Sequence, residues 1–315
     1  MVWENTLKKI TENTALLAAL LWVDHPKNLR LINNQINCVY RFESSGVGFY
    51  LRMTHEQIRP KDELLAALNF QKHLFLNDAP VCEAIPSRHG ILIESVDQDN
   101  LQFLTQVCKE VPGQIMNFDS QNKEAYVLWG QALAKLHKAS MSYQAKSHWF
   151  RNWCDLWQET ANYIQNEEEC IQEAYYELNE RFSNLTANTL NYGLTHGDHR
   201  PGNVLYDGKK IHFIDFDEPV YHWFMADIAK PFLDLCNTAY DVWEVKFKWF
   251  LEGYRMVLPI DDTLLQSIND FSQMKSLDIY LWCKNNWFES TAPGAKPREQ
   301  WLNELRHMAL APLFK

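Results

Sequence analysis

Glycine and proline are scarce in this 315-residue sequence, at 11 and 12 residues, which excludes a fibrous or low-complexity protein. Long apolar runs are missing as well. The longest near the start, ALLAALLWV at residues 15–23, is shorter than the roughly 18–20 residues that a membrane-spanning helix needs. Glu4 and Glu12 precede it, where a secretion signal would carry positive charge. We therefore expect a core helix here and no membrane partner.

Paired cysteines are also absent. The seven cysteines, at positions 38, 82, 108, 154, 170, 236 and 283, are odd in number and never form a CxxC motif. This spacing fits neither a disulfide framework nor a zinc site, and it favours free thiols in a reducing compartment. The sequence therefore predicts a cytoplasmic protein.

The chain has no excess of positive charge: 30 Lys and Arg face 40 Asp and Glu, a net charge of −10. Nucleic acids and anionic lipid surfaces need clustered basic residues, so neither is an expected partner. Residues 1–112 hold 11 basic and 13 acidic side chains, so most of the negative charge lies in the remainder. That distribution is compatible with a cationic small substrate, although solubility explains it equally well. Nothing in the sequence indicates the oligomeric state.

What is present is a change of pattern partway along the chain. NCVYRFES and VGFYLRMT read as a β-hairpin around the turn SSG, and residues 62–74 carry a helical leucine stripe. GILIES at 90–95 and LQFLTQVC at 101–108 read as another strand pair. The segment KEVPG at 109–113 is a break. We expect an α+β protein with a strand-rich domain at 1–110 and a mainly helical domain at 111–315.

Helices follow the break. EAYVLWGQALAKLHKAS, residues 124–140, is strongly amphipathic. Trp149, Trp153 and Trp157 recur at spacing four, which predicts one helix face used for packing rather than a ligand cage. Residues 161–182 read as a second helix with the acidic run 167–169 on a solvated face. A β-rich island at 193–217 comes next, and helices continue to the end.

The stretch THGDHRPGNVLYDGKKIHFIDFDEP, residues 195–219, contains the functional signal. Two short strands on either side of the turn Asp207-Gly208 predict a hairpin whose outer ends meet. Asp198, Asn203 and Asp215 would then lie beside one loop. Carboxylate and carboxamide oxygens suit Mg²⁺, which completes its shell with water and phosphate oxygens. A carboxylate that does not bind metal can orient a hydroxyl group, so the pattern predicts phosphoryl transfer.

HGDHRPGN followed by IDFD resembles the catalytic and metal-binding loops of the aminoglycoside phosphotransferase / choline kinase family. The resemblance implies a protein-kinase-like bilobal fold, with a small antiparallel sheet in the N-lobe and a larger, mainly helical C-lobe. It implies that Asp198 is the base or orienter of the acceptor hydroxyl and that Asn203 and Asp215 bind Mg²⁺. Asp217 would assist a second metal or face the substrate. Asp227, in a D-I-A element, would brace the catalytic loop.

The same resemblance places the nucleotide, ATP or GTP, between the lobes near residues 108–113. The loop over the phosphates would be residues 32–37, which has no glycine but includes Asn34 and Asn37. Arg52 would replace the family's strand lysine, and Glu63 is its expected partner. The hinge would offer backbone groups from Cys108 to residue 111, Glu110 included, to the base.

The predicted function is transfer of the γ-phosphate of ATP to a hydroxyl of an aminoglycoside-, choline- or amino-sugar-like acceptor. A cationic acceptor would contact acidic and aromatic side chains of the C-terminal part, for which the candidates are Asp217, Glu218, Trp282, Trp287 and Glu289. A protein acceptor ranks lower because the full protein-kinase motif set is missing. A nucleotide-binding pseudokinase or scaffold without turnover is the alternative from another class. A zinc cluster at His196, Asp198 and His199 ranks last, since His199 is expected to be exposed.

Overall fold

The computed structural model describes residues 6–34, 37–117, 122–146, 149–233, 240–288, 290 and 296–311. The chain divides into two compact units. The first consists of residues 1–114, 143–150 and 205–217, and the second of residues 115–142, 151–204 and 218–315. The predicted α+β class, with an antiparallel sheet and a separate set of helices, is confirmed.

The first unit is built on an antiparallel sheet in which β1–β2–β3–β6–β4 are neighbours and β5 pairs with β6. The strands are β1 (Lys27–Asn34), β2 (Cys38–Ser44), β3 (Val47–His55), β4 (Ala84–Ile85), β5 (Glu94–Gln98) and β6 (Leu101–Lys109). The predicted hairpin is present in the register Ser44↔Val47 and Cys38↔Met53. Ser45 and Gly46 have φ of 52° and 78°, as a tight hairpin turn requires.

One strand of this sheet begins later than predicted. Residues 87–91 form a turn, in which the Ser87 amide donates to the Ile91 carbonyl at 2.7 Å and the Gly90 amide donates back to the Ser87 carbonyl at 2.9 Å. The Gly90 amide and the Ile91 carbonyl are therefore already hydrogen bonded within the turn, so they cannot pair with a neighbouring strand. Strand β5 therefore starts at Glu94.

Two helices accompany the sheet: α1 (Glu12–Ala19) and α2 (Lys61–Leu76). Thr11 caps the start of helix α1, since its side chain accepts a hydrogen bond from the Thr14 amide. It buries Ala15 and Ala18, so the predicted N-terminal core helix is present although it ends at Ala19. Trp22 extends this contact and donates its indole N–H to the Ile85 carbonyl at 2.8 Å.

The second unit is mainly helical. Its helices are α3 (Lys123–Ser140), α4 (Trp153–Ile164), α5 (Glu169–Ser183), α6 (Phe224–Leu233), α7 (Tyr240–Arg255), α8 (Asp262–Gln266), α9 (Ile268–Asn286) and α10 (Arg298–Leu310). Short strands complete the chain: β7 (Gln114–Ile115), β8 (Tyr192–Leu194), β9 (Val204–Tyr206), β10 (Ile211–Phe213) and β11 (Tyr221–Trp223), of which β8 and β11 pair antiparallel. The β9–β10 hairpin turns at Gly208, with φ of 93°.

Helices α3 and α7 cross at two glycines. A Cβ on Gly130 would collide with the Phe250 carbonyl oxygen, and a Cβ on Gly253 would collide with that of Val127. The lack of a side chain therefore lets the two backbones touch. Both helices bury aromatic residues at this crossing, and Trp129 meets Phe250 edge to face at 5.5 Å.

Two helix predictions for the second unit were wrong. Trp149 precedes α4, because Asn152 and Asp155 form a capping box that starts the helix at Trp153. The predicted helix over 161–182 is two helices, since α4 ends at Ile164 and α5 begins after Glu168.

The acidic run at this junction is also not entirely solvated. The Glu167 side chain is only 4% exposed and pairs with Lys284 at 2.7 Å. In the part of the chain that the structure describes, no helix is both long enough and apolar enough to cross a membrane.

Candidate active site

The loop from Thr195 to Asn203 in the second unit contains the first predicted motif, and Asp227 on α6 fixes its backbone. One Asp227 carboxylate oxygen accepts from the His196 amide at 2.7 Å and the other accepts from the Gly197 amide at 3.1 Å. Gly197 has φ of 79°, and a Cβ there would collide with the Glu218 carbonyl oxygen. Asp227 thus braces the loop as the sequence indicated, and the loop requires glycine at 197.

Asp227 is itself held by a buried polar network. His137 Nε2 lies 3.2 Å from Asp227 Oδ2, and His137 Nδ1 lies 2.8 Å from the Tyr254 hydroxyl. Burial alone would raise the pKa of Asp227, but the hydrogen bond from His137 opposes it, and this pKa lies below its usual range. The carboxylate therefore stays ionised and keeps both loop amides.

His199 was predicted to be exposed, which was wrong. Its ring is completely buried, and its Nδ1 donates to the Asp227 carbonyl at 2.6 Å. That carbonyl lacks its helical partner because the residue four positions on, Pro231, has no N–H. His199 Nε2 accepts from the Trp129 indole at 2.8 Å, so both ring nitrogens are engaged.

The zinc alternative therefore has no support at His199. Burial lowers its pKa to about 3, which keeps the ring neutral. Among the described residues, no group of three or more His, Cys, Asp and Glu side chains is placed to hold a metal ion.

Asp198 lies on the same loop with both carboxylate oxygens hydrogen bonded. Oδ2 accepts from Arg200 Nε at 3.0 Å and from Asn203 Nδ2 at 2.9 Å, and Oδ1 pairs with the Lys230 ammonium. Burial would raise the pKa of Asp198, but Lys230 and Arg200 outweigh it and lower this pKa well below its usual range. Asp198 is thus a fixed anion that accepts hydrogen bonds.

Lys230 was not among the residues predicted from the sequence. It follows Asp227 by three positions on α6, so both side chains point from one helix face toward the loop. Asp227 accepts a hydrogen bond from the Gly197 amide. Lys230 Nζ donates to the Gly197 carbonyl at 3.1 Å and also pairs with the Asp198 carboxylate. The signal that could have revealed it is a lysine one turn after the D-I-A aspartate, on a helix with a strongly apolar opposite face.

Asn203 is buried at the end of a short 3-10 turn, Pro201–Asn203. Its amide nitrogen donates twice to Asp198, to the backbone carbonyl and to Oδ2, each at 2.9 Å. These two contacts fix the Asn203 side-chain nitrogen against the Asp198 segment of the loop.

Asp215 and Asp217 of the second motif lie in the first unit, and both pair with Arg52. Arg52 Nη1 lies 2.9 Å from Asp215 Oδ1, and Nη2 pairs with Asp217 Oδ2. Burial opposes the charge of Arg52, but the two carboxylates outweigh it and raise the pKa of the guanidinium. Asp215 has φ of 67°, a left-handed backbone that is uncommon for a residue other than glycine.

Glu63 was the predicted partner of Arg52, and this pairing was wrong. Glu63 lies in the first turn of α2, whereas Arg52 is on β3 with Asp215 and Asp217 against its guanidinium. Asp217 is also contacted by Arg59, whose Nη2 lies 3.7 Å from Oδ2, and by Asn37 Nδ2 at 3.1 Å. The carboxylates that pair with Arg52 therefore come from residues 215–217 and not, as predicted, from helix α2.

The remaining predicted nucleotide residues are also in the first unit. Asn34 is exposed at the end of β1, and residues 35–36 of the predicted phosphate loop lie outside the described residues. Cys108 is half-buried on β6, where Gln71 Nε2 approaches its sulfur at 3.4 Å. The Glu110 carboxylate accepts two hydrogen bonds from Arg41, from Nε to Oε1 at 2.8 Å and from Nη2 to Oε2 at 2.7 Å.

The residues suggested for the acceptor site have different surroundings. Glu218 and Trp282 are exposed in the second unit, and Trp287 packs its ring on Trp301 at 5.7 Å. Asp217 lies in the first unit, and Glu289 lies outside the described residues.

The comparisons with known proteins agree with these motifs. Residues 28–246 match the model of the phosphotransferase enzyme family (APH), so the chain belongs to this family. Amicoumacin kinase from Bacillus subtilis (strain 168) is 26% identical over 290 residues, covering 87% of this chain and 85% of that protein. The family and the enzyme class predicted from the sequence, a phosphotransferase with an alcohol group as acceptor, are confirmed.

Solved structures show the same fold. The structure of amicoumacin kinase hAmiN in complex with AMP-PNP, Ca²⁺ and Ami has a TM-score of 0.85 at 22% identity and covers 99% of this chain and 97% of its own. A microcompartment-associated aminopropanol kinase has a TM-score of 0.72 at 18% identity, covering 95% of each chain. The protein-kinase-like fold class is thereby confirmed, and the pseudokinase alternative is not favoured.

Proposed function

We propose that this chain transfers the γ-phosphoryl group of ATP to a hydroxyl group of a small amine-bearing molecule, of aminoglycoside, choline or amino-sugar type. Two similar proteins support the acceptor class by name, since one is an amicoumacin kinase and the other an aminopropanol kinase. The bound AMP-PNP of hAmiN supports an adenine nucleotide as co-substrate.

The observation that carries the proposal is the state of Asp198. The carboxylate is ionised, lies on a loop whose backbone is hydrogen bonded to Asp227 and Lys230, and has hydrogen-bond donors on both oxygens. Because the pKa of Asp198 lies well below its usual range, the group is a weak base and a good hydrogen-bond acceptor. Its role is to orient the acceptor hydroxyl for attack rather than to store the hydroxyl proton.

Asn203 and Asp215 are the residues that would offer side-chain oxygens to the divalent cations that accompany ATP. The donor chemistry fits Mg²⁺, which takes hard oxygen ligands and shares the remaining positions with phosphate and water. Asn203 supports this fit, because its side-chain nitrogen is used by Asp198 and, among the described residues, none donates to its oxygen. When bound, the metal neutralises charge on the β- and γ-phosphates.

Asp217 has a different role in this proposal from the metal ligand expected at first. Its Oδ2 already faces Arg52, Arg59 and Asn37. Three donors already occupy this oxygen, and two of them, Arg52 and Arg59, carry positive charge that would repel a metal ion there. We assign Asp217 to positioning Arg52, which in turn contacts the phosphates of ATP.

The predicted phosphate loop, residues 32–37 with Asn34 and Asn37, would lie over those phosphates. Cys108 and Glu110 would offer backbone groups to the nucleobase. The Glu110 amide, however, donates to the Gly48 carbonyl at 2.9 Å, so its carbonyl is the group that remains for the base. Glu63 has no part in this proposal.

The test is an acceptor screen with purified protein, Mg²⁺ and ATP, using amicoumacin A, 1-amino-2-propanol, spectinomycin and choline as probes and mass spectrometry as readout. A gain of one phosphate on a probe is the expected result. Asp198→Asn should lower the rate about 10²–10⁴-fold with ATP affinity kept within threefold. Asp97→Asn, on the exposed side of β5, is the matched control. Saturating ATP binding with no transfer to any probe would overturn the proposed function.

A further inference from the structure

Lys230 contacts the catalytic loop at the point where the acceptor hydroxyl is expected to lie. Its ammonium pairs with Asp198 Oδ1 and donates to the Gly197 carbonyl at 3.1 Å. The lysine comes from α6, not from the loop, and is separate from both sequence motifs. The pairing is therefore a feature of this chain's folded structure that the motifs do not specify.

The Lys230 side chain is 11% exposed, and its surroundings are unfavourable for a charge. Burial and the nearby Lys275 lower the pKa of Lys230, while Asp198 and Glu218 act in the opposite direction. An ammonium has three N–H donors, and the described residues provide two acceptors for it, Gly197 and Asp198. One donor is left without a protein acceptor in the described parts of the chain.

Hydrogen-bond lengths limit where a phosphoryl group can lie. A hydroxyl that donates to Asp198 has its oxygen about 2.7 Å from the carboxylate. The phosphorus that this oxygen attacks lies about 3–3.5 Å further away in a reactive complex. An ammonium group that is hydrogen bonded to the same carboxylate can then also donate a hydrogen bond to a non-bridging oxygen of that phosphoryl group. Lys230 meets this condition.

We propose that Lys230 is a further catalytic residue, which donates its third N–H to a non-bridging oxygen of the phosphoryl group in transfer. In this step the acceptor oxygen bonds to the γ-phosphorus while the bond from phosphorus to the β,γ-bridging oxygen breaks. That electron pair leaves with ADP, and the hydroxyl proton is lost to water. Lys230 stabilises the negative charge on the transferred group through an electrostatic contact. The inference rests on the proposed function.

A purely structural lysine would hold the loop and nothing else, so the experiment compares these roles. Lys230→Met and Lys230→Arg are measured with a probe acceptor that the parent protein phosphorylates. The control is Lys284→Met, which removes another lysine whose partner, Glu167, is buried. Rates are taken with ATP and with ATPγS, because sulfur is a weaker hydrogen-bond acceptor than oxygen.

We expect Lys230→Met to lower kcat at least about 100-fold with the acceptor KM changed less than threefold. Lys230→Arg should recover at least a tenth of the parent rate, since it keeps a cation. The ratio of the ATP rate to the ATPγS rate should fall in Lys230→Met and stay at the parent value in Lys284→Met. Circular dichroism and ATP binding confirm that the variants are folded.

A kcat within threefold of the parent, or an unchanged ATP to ATPγS ratio, would overturn the inference. If Lys230→Met does not fold, the ratio in Lys230→Arg decides, because an altered ratio in a folded variant requires contact with the phosphoryl group. Failure of the parent protein to phosphorylate any probe is a separate result. It would refute the proposed function and not the role of Lys230 alone.

Discussion

Arg52 Nη1 lies 2.9 Å from Asp215 Oδ1, so the arginine of one strand is bonded to the carboxylate expected to bind metal. The same guanidinium reaches Asp217, whose side chain is 11% exposed. A planar fork can hold two carboxylates at once, which a lysine ammonium does less well. The pair thus links β3 to the segment that follows β10.

We predict that Arg52→Met lowers the free energy of unfolding by about 2 kcal/mol, because it removes the ion pair with Asp215 and one of the three donors to the largely buried Asp217. Arg52→Lys should have an intermediate effect. Urea unfolding followed by circular dichroism measures both. Arg88→Met, which breaks an exposed ion pair with Asp24, should cost less than about 1 kcal/mol. Equal losses in Arg52→Met and Arg88→Met would contradict the prediction.

Two glycines with similar backbones provide a second test. Gly197 and Gly208 both have positive φ, 79° and 93°, but a Cβ meets the Glu218 carbonyl at the first and open space at the second. Gly208→Ala should lose only about 1–2 kcal/mol, the strain of the left-handed backbone. Gly197→Ala should lose clearly more and should also lose activity, because the loop bearing Asp198 must move. Thermal unfolding together with the transfer assay distinguishes the two variants.

Stability should decline as the solution becomes mildly acidic. Burial lowers the pKa of both His199 and His222 to about 3, so the folded chain keeps them neutral. Below a pH of about 6.5 the unfolded chain binds protons that the folded chain does not. The free energy of unfolding therefore falls as pH drops from about 6.5 toward 3, by up to about 1.4 kcal/mol per pH unit for each histidine.

Carboxylates do not account for this slope. The pKa values of Asp198 and Asp227 are lowered, so their contribution is complete above a pH of about 3.9 and is lost only in stronger acid. Urea unfolding between about pH 7.5 and 4.5 measures the slope. His199→Gln should reduce it whatever its effect at neutral pH, and replacement of the exposed His25 by Gln should leave it unchanged. A flat profile would count against neutral buried histidines.

Asp215→Asn should raise the Mg²⁺ concentration needed for half-maximal transfer at least about tenfold, since a neutral amide is a weaker ligand for a hard cation. Chelation with EDTA should abolish transfer by the parent, and added Mg²⁺ should restore it. Asp97→Asn is the charge-matched control. An unchanged Mg²⁺ requirement in Asp215→Asn would show that Asp215 is not a ligand.

Local patterns predicted the β2–β3 hairpin, α2 and α3, because alternation, turn residues and helical spacing act over a few neighbours. Predictions from the sequence were wrong where contacts between residues far apart in the chain determine the structure. Arg52 and Asp215 are 163 positions apart, and nothing near Arg52 indicates which carboxylate it meets. His199 resembles a surface loop residue until Trp129 and Asp227 enclose it. The break at residues 165–168 was not predicted because the buried Ile164 and Ile171 keep a helical spacing across it.

The proline inside α6 has a consequence for how this loop tolerates change. Pro231 leaves one carbonyl of the helix without a donor, and the ring of His199 occupies it. Replacing His199 alone leaves the buried Asp227 carbonyl without its donor. Replacing Pro231 alone adds a backbone N–H that competes with His199 for that carbonyl. When both are replaced, the new N–H can take the place of His199 as the donor. Positions 199 and 231, 32 residues apart in sequence, should therefore show strong non-additivity in a double-mutant cycle.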